Sequence, residues 1–186
     1  EVFKEGSSQG AQVNGVFTPV EVTAGVLPPY FHAAAAVSDT RVLVVGGVEP
    51  NGTENLVVPV SPRAYLLDYV EQGGRAVVSV IEVGGLDGPR IFPALGVTRD
   101  RTMAILTGGW SNDGAGVSTA TLTLNLSTEP PTFQPEQALF SGRGGMSSRM
   151  LKNDALFLAG GVADPAQINA TGVGAAETFA PAAYCY

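Results

Sequence analysis

Three short runs in this chain end alike. Residues 40–47 read TRVLVVGG, residues 102–109 read TMAILTGG and residues 154–161 read DALFLAGG. Each joins a polar tip to an apolar run of strand length and a pair of glycines. The first glycines of the pairs stand at 46, 108 and 160, so the spacings are 62 and 52 residues. A pattern recurring at that interval marks one supersecondary unit copied along the chain, because such a unit buries its apolar face only against neighbours of its own kind.

The parts around each run recur in the same order. A turn with Pro or Gly leads in: LPPY at 27–30, DGPR at 87–90 and FSGR at 140–143. A stretch with many small residues follows: FHAAAAV at 31–37, FPALGV at 92–97 and GGMSSRM at 144–150. After the Gly-Gly and a variable loop come further strand-like runs, RAYLLDY at 63–69, STATLTLNL at 118–126 and AAETFAP at 175–181. The 24 glycines and 13 prolines fall between these runs as punctuation, which predicts many short strands joined by turns. A strand-built period near fifty residues predicts β-propeller blades. The innermost strands crowd around the axis and call for small side chains. The next strand, covered on both faces, is apolar throughout.

The expected fold is therefore all-β, with blades of four antiparallel strands at 26–84, 85–137 and 138–186. The segment 1–25 supplies no further unit and is expected to be an outer strand of a preceding blade. Three blades are too few to close a ring. The chain is a fragment of a longer propeller, or two copies close the ring, or another polypeptide supplies the missing blades. Both ends fall within the pattern and the sequence opens without Met, which favours a piece of something longer.

Charge and composition narrow the partners. A net charge of -7 repels phosphate backbones, and only two of the basic residues are Lys, so nucleic acid is not expected. The RGG string at 143–145 is a single copy beside a strand and reads as a turn. No apolar run reaches the about 18 residues a membrane span needs. The glycine pairs are followed by neither a helix nor a Lys, so they do not cradle phosphate. Cys185 cannot form an internal disulfide without a second cysteine; it is a small buried hydrophobe or a bridge to another chain. The sequon-like triplets at Asn51, Asn125 and Asn169, with the scarcity of Lys, lean towards an exported protein.

The order of His32 and Ala33, then RVLVVGG, then AETFAP resembles the kelch motif, whose galactose-oxidase-like and bacterial members read HAA, RVLVVGG and AELYDP. The resemblance runs over three units from about residue 26 to 186. The second unit has Pro93 where the first has His32, and the third has Met146. In kelch domains that grip peptides, the turns leading into the inner strands form a rim. The resemblance thus places Tyr30, His32, Arg90, Phe92 and Arg143 as candidate binding residues. Either arginine could clamp a carboxylate, or pair with Asp or backbone carbonyls between blades. His32 is expected in a structural role.

No catalytic constellation is expected. The copper centre of galactose oxidase requires two histidines, tyrosine ligands and a cysteine–tyrosine cross-link. His32 and Cys185 are the one His and one Cys in this chain, so neither metal nor other cofactor is expected. The WSNDGAG run at 110–116 departs from the aspartate box of sialidases and reads as a polar turn with Trp110 half-buried. The expected function is a non-catalytic interaction or assembly module, its partners a protein or the remaining blades. The alternative is part of an oxidase-like or carbohydrate-active propeller enzyme completed by other sequence.

Overall fold

The computed structural model describes residues 2–4, 16–18, 20–22, 30–48, 63–73, 75–111, 116–163 and 176–180. Cys185, Asn51, Asn169, residues 112–115 and residues 27–29 of the first lead-in turn lie outside them. Among the described residues every regular element is a strand, and the fold is all-β. An antiparallel pair, β1 (Val2–Lys4) and β2 (Val16–Thr18), precedes three larger sheets.

The first sheet contains β3 (Val20–Val22), β4 (Ala33–Ala36), β5 (Arg41–Val45), β6 (Ala64–Gln72) and β7 (Arg75–Val83), in the order β3-β7-β6-β5-β4. Strands β4 to β7 run antiparallel. β3 adds in parallel along β7. The β6–β7 hairpin is long and β-branched, and the repeat pattern gave no hint of β7.

The second sheet contains β8 (Ala94–Val97), β9 (Met103–Thr107), β12 (Thr121–Asn125) and β13 (Phe133–Pro135), all antiparallel. Between β9 and β12 sits the small pair β10 (Trp110–Ser111) and β11 (Gly116–Val117). The third sheet contains β14 (Ser147–Met150), β15 (Leu156–Ala159) and β16 (Ala176–Phe179).

Two apolar layers hold the sheets together, and strand alternation assigns the side chains to them. Leu43, Val45, Leu66 and Val83 of the first sheet meet Ala104, Leu106, Leu122, Leu124 and Phe133 of the second. Ile105 and Ala94, on the opposite face of the second sheet, meet Leu156, Leu158, Met150 and Phe179 of the third. β9 is thus apolar in sequence because both its faces are covered; Ala104, Ile105 and Leu106 are each 0% exposed.

Crowding of the lead strands is uneven. β8 lies between β4 and β14 and buries alternate residues, whereas much of β4 and β14 is exposed. The outer two each lack a neighbour on one side among the described residues. Trp110 also departs from the half-buried turn position expected of it. It is buried at 7% exposure, on β10. Its indole Nε1 donates to the Val162 carbonyl at 3.0 Å. Gly144 makes room for the ring, since a Cβ there would stand 2.4 Å from Nε1.

Candidate functional site

The residues leading into β4, β8 and β14, from Tyr30, Ile91 and Gly144 onward, come together at one end of those strands. In each unit, one residue pairs with the residue just after a Gly-Gly: Tyr30 with Val48, Ile91 with Trp110, and Gly144 with Val162. The next residue takes a left-handed conformation, with φ of 60° at Phe31, 50° at Phe92 and 68° at Gly145. Glycine adopts such a φ freely, but a bulky side chain there is a conformational outlier. Main-chain bonds hold these residues: the Phe92 amide donates to the Phe31 carbonyl at 3.0 Å, and the Gly145 amide to the Phe92 carbonyl at 3.0 Å.

The result is an aromatic strip at the surface. The Phe31 and Phe92 rings lie 4.9 Å apart, and Phe92 meets Trp110 edge-on at 5.5 Å. Tyr30 is 59% exposed, Phe31 42% and Phe92 38%. His32, beside Phe31, is exposed as well. Three of the five residues that the resemblance implied, Tyr30, His32 and Phe92, thus share one exposed surface.

Arg90 and Arg143 lie beneath it, fully buried. Arg90 Nη1 donates to the Gly108 carbonyl at 3.1 Å and the Ala120 carbonyl at 3.4 Å, and Nη2 pairs with Asp87. Arg143 Nη1 donates to the Gly160 carbonyl at 3.3 Å, and Nη2 pairs with Glu177. Each guanidinium therefore grips the first glycine carbonyl of its own unit and a carboxylate from the same unit. Their main-chain carbonyls face the unit before: the Gly47 amide donates to the Arg90 carbonyl and the Gly109 amide to the Arg143 carbonyl, both at 2.8 Å. Of the two roles left open from sequence, this geometry is pairing with acid and backbone groups. A buried guanidinium already holding a carboxylate has little left with which to clamp another.

Phe31 was missing from the sequence-derived set although a signal existed. Aligning the units on Gly-Gly, with one gap for the extra residue in the second unit's hairpin, places Phe31, Phe92 and Gly145 in one column, and a glycine in such a column marks a left-handed position. Beside the strip, a cleft of about 220 Å³ is lined by Asp87, Gly88, Arg90, Ser111 and Ser118.

No family model and no curated protein matches this chain. Among solved structures, the chain is similar to a fungal alcohol oxidase of the AA5 family in complex with copper, with a TM-score of 0.58 at 13% identity. The likeness covers 73% of this chain and 27% of that one. It is a likeness of fold. The chain spans about a quarter of the length of the structure it matches. The donors here do not fit a copper centre. The whole sequence has one His and one Cys. Among the described residues, no three His, Cys, Asp or Glu side chains gather as a metal would require.

Proposed function

We propose that this chain is a non-catalytic interaction module built from three kelch-like β-propeller blades, 26–84, 85–137 and 138–186, within a larger exported propeller. Its binding face is the rim of Tyr30, Phe31, His32 and Phe92, and its partner is a protein. The observation that carries this reading is the pair of exposed phenylalanines held at left-handed φ. Such a conformation costs of order 1–3 kcal/mol at a bulky residue and persists where the surroundings over-determine it, commonly in binding clamps. Glycine at the third unit's equivalent position shows that the backbone alone does not require a ring there.

The test separates function from folding. Replacing Phe31 and Phe92 together by Gly removes both rings and the backbone strain. We expect a melting temperature within a few degrees of wild type and at least tenfold weaker binding of the partner that cross-links to Tyr30 in the wild-type protein. A well-folded double variant that binds this partner as tightly as wild type would refute the rim.

A second reading draws on the fold shared with a copper-bound oxidase: the chain is one part of a propeller enzyme whose ligands come from other sequence. Copper titration and an alcohol-oxidation assay decide between them. Both are done on the full-length polypeptide that contains this chain, where stoichiometric copper with turnover would favour the enzyme and end the non-catalytic reading.

A further inference from the structure

Of the three sequon-like triplets, Asn125-Leu126-Ser127 lies among the described residues, where β12 ends. Side chains alternate along a strand, so Thr121, Thr123 and Asn125 share one face of β12. Thr121 is 1% exposed and Thr123 6%, whereas Asn125 is exposed; the face leaves the packed region at this residue. Leu126 packs against the core between the first two sheets, and Ser127 is exposed again.

The bonds of the turn determine which groups the fold uses. The Leu126 amide donates to the Thr102 carbonyl at 2.8 Å. The Ser127 amide donates to Asn125 Oδ1 at 2.9 Å, and the Thr128 hydroxyl donates to the Asn125 carbonyl at 2.9 Å. An asparagine oxygen bonded to the amide two residues on is an Asx turn. The amide needs an acceptor, so Oδ1 faces it and Nδ2 takes the other side of the carboxamide. Among the described residues, neither Asn125 Nδ2 nor Ser127 Oγ has a hydrogen-bond partner. The fold thus employs the asparagine oxygen and the serine main chain. It leaves unused the amide nitrogen and the hydroxyl, the two groups that make such a triplet a glycan acceptor.

We infer that Asn125 is an N-glycosylation site. The inference rests on reading the chain as part of an exported protein. In the step, Nδ2 loses a proton and bonds to the anomeric carbon of an oligosaccharide carried on a polyprenyl diphosphate. The bond from that carbon to the diphosphate oxygen breaks, and the polyprenyl diphosphate leaves. A glycan is bulky and solubilising, and an exposed turn carries it without displacing packed side chains.

Its position spares the rim. Thr121 pairs with Thr107 beside the second glycine pair, whereas Asn125 pairs with Met103 at the other end of β9. A strand rises about 3.3 Å per residue, so Asn125 lies about 13 Å along β12 from Thr121, away from the aromatic strip. Tyr30, His32 and Phe92 stay open to a partner.

Peptide mapping of the protein recovered from the cells that make it, with exported and intracellular fractions kept apart, provides the test. Treatment with peptide-N-glycosidase in heavy-oxygen water turns a glycosylated Asn into Asp bearing the heavy isotope. Exported protein should carry that mark at position 125. Ser127→Ala should abolish it and Ser127→Thr should keep it. Both variants retain Asn125 and the main-chain amide that its Oδ1 accepts. The Ser127→Ala protein should therefore melt within a few degrees of enzymatically deglycosylated wild type, which separates the lost sugar from a lost fold.

Exported protein with an unmodified Asn125 overturns the inference and leaves the exported reading intact. A mark at Asn51 or Asn169 without one at Asn125 overturns it as well, as does a mark that survives Ser127→Ala. Protein found inside the cells alone overturns the exported reading and the inference together. None of these outcomes alters the Phe31/Phe92 test, so the rim stands or falls separately.

Discussion

At the scale of single residues, the two buried arginines show how one side chain can serve as a hub. Arg143 is 0% exposed, and its guanidinium joins Glu177 to the Gly160 carbonyl while its own carbonyl anchors Gly109. Glu177 also accepts the Phe140 amide at 2.9 Å. Truncation at position 143 keeps the main-chain bond but strands a largely buried carboxylate and a glycine carbonyl. Removing one partner of a buried pair costs about 3–5 kcal/mol. Arg143→Ala should lower stability by that amount in urea unfolding, and a loss below about 1 kcal/mol would show the pair to be solvated. The resemblance drew attention to this position as a rim residue. Sequence alone could not tell a rim arginine from a hub arginine, because its acid partner lies 34 residues away on β16.

At the scale of elements, β15 is a strand with unlike faces. Leu158 is 0% exposed and packs against the second sheet, whereas its neighbour Phe157 looks the other way and is half-buried. Leu158→Ala should therefore cost about 2–5 kcal/mol, the usual cost of emptying a packed leucine site. Phe157→Ala in this chain should cost clearly less, although it removes the larger side chain. Equal losses by denaturant midpoint would mean that the outer face is covered. The strands holding the repeated phrase were legible because hydrophobic runs ending in Gly-Gly are strong signals, and β5, β9 and β15 fall where that phrase lies. β7 was not legible: it takes the place in the first sheet that β13 takes in the second, but the two runs share no sequence phrase, so no repeat pointed to it. Trp110 was misread because a local view of WSNDGAG emphasises its polar residues, while the burial of the ring comes from Gly144 on the next unit.

At the scale of the whole molecule, the described sheets form a graded series. The second is covered on both faces by its neighbours, and the first and third each on one. Amide exchange should record that gradient. In this chain, the Gly109 amide, bonded to Arg143 between two covered sheets, should exchange slowly, whereas the Gly161 amide, with no partner among the described residues, should exchange at nearly the unprotected rate. Equal protection of the two would contradict the open third face. The all-β class follows from the strand periodicity. The grouping of Tyr30, His32 and Phe92 at one end follows from the shared repeat phase, which sequence can supply.

The coupling of the first two glycine pairs to the arginine of the following unit has a consequence for ancestry. Its critical atoms belong to the main chain, apart from the first glycine of each of those pairs, which must carry no side chain. A duplicated stretch of DNA encoding one unit would arrive with matching surfaces already on both flanks. Lengthening such a protein would require no newly selected complementarity, and the flanking loops could diverge without disturbing the junctions.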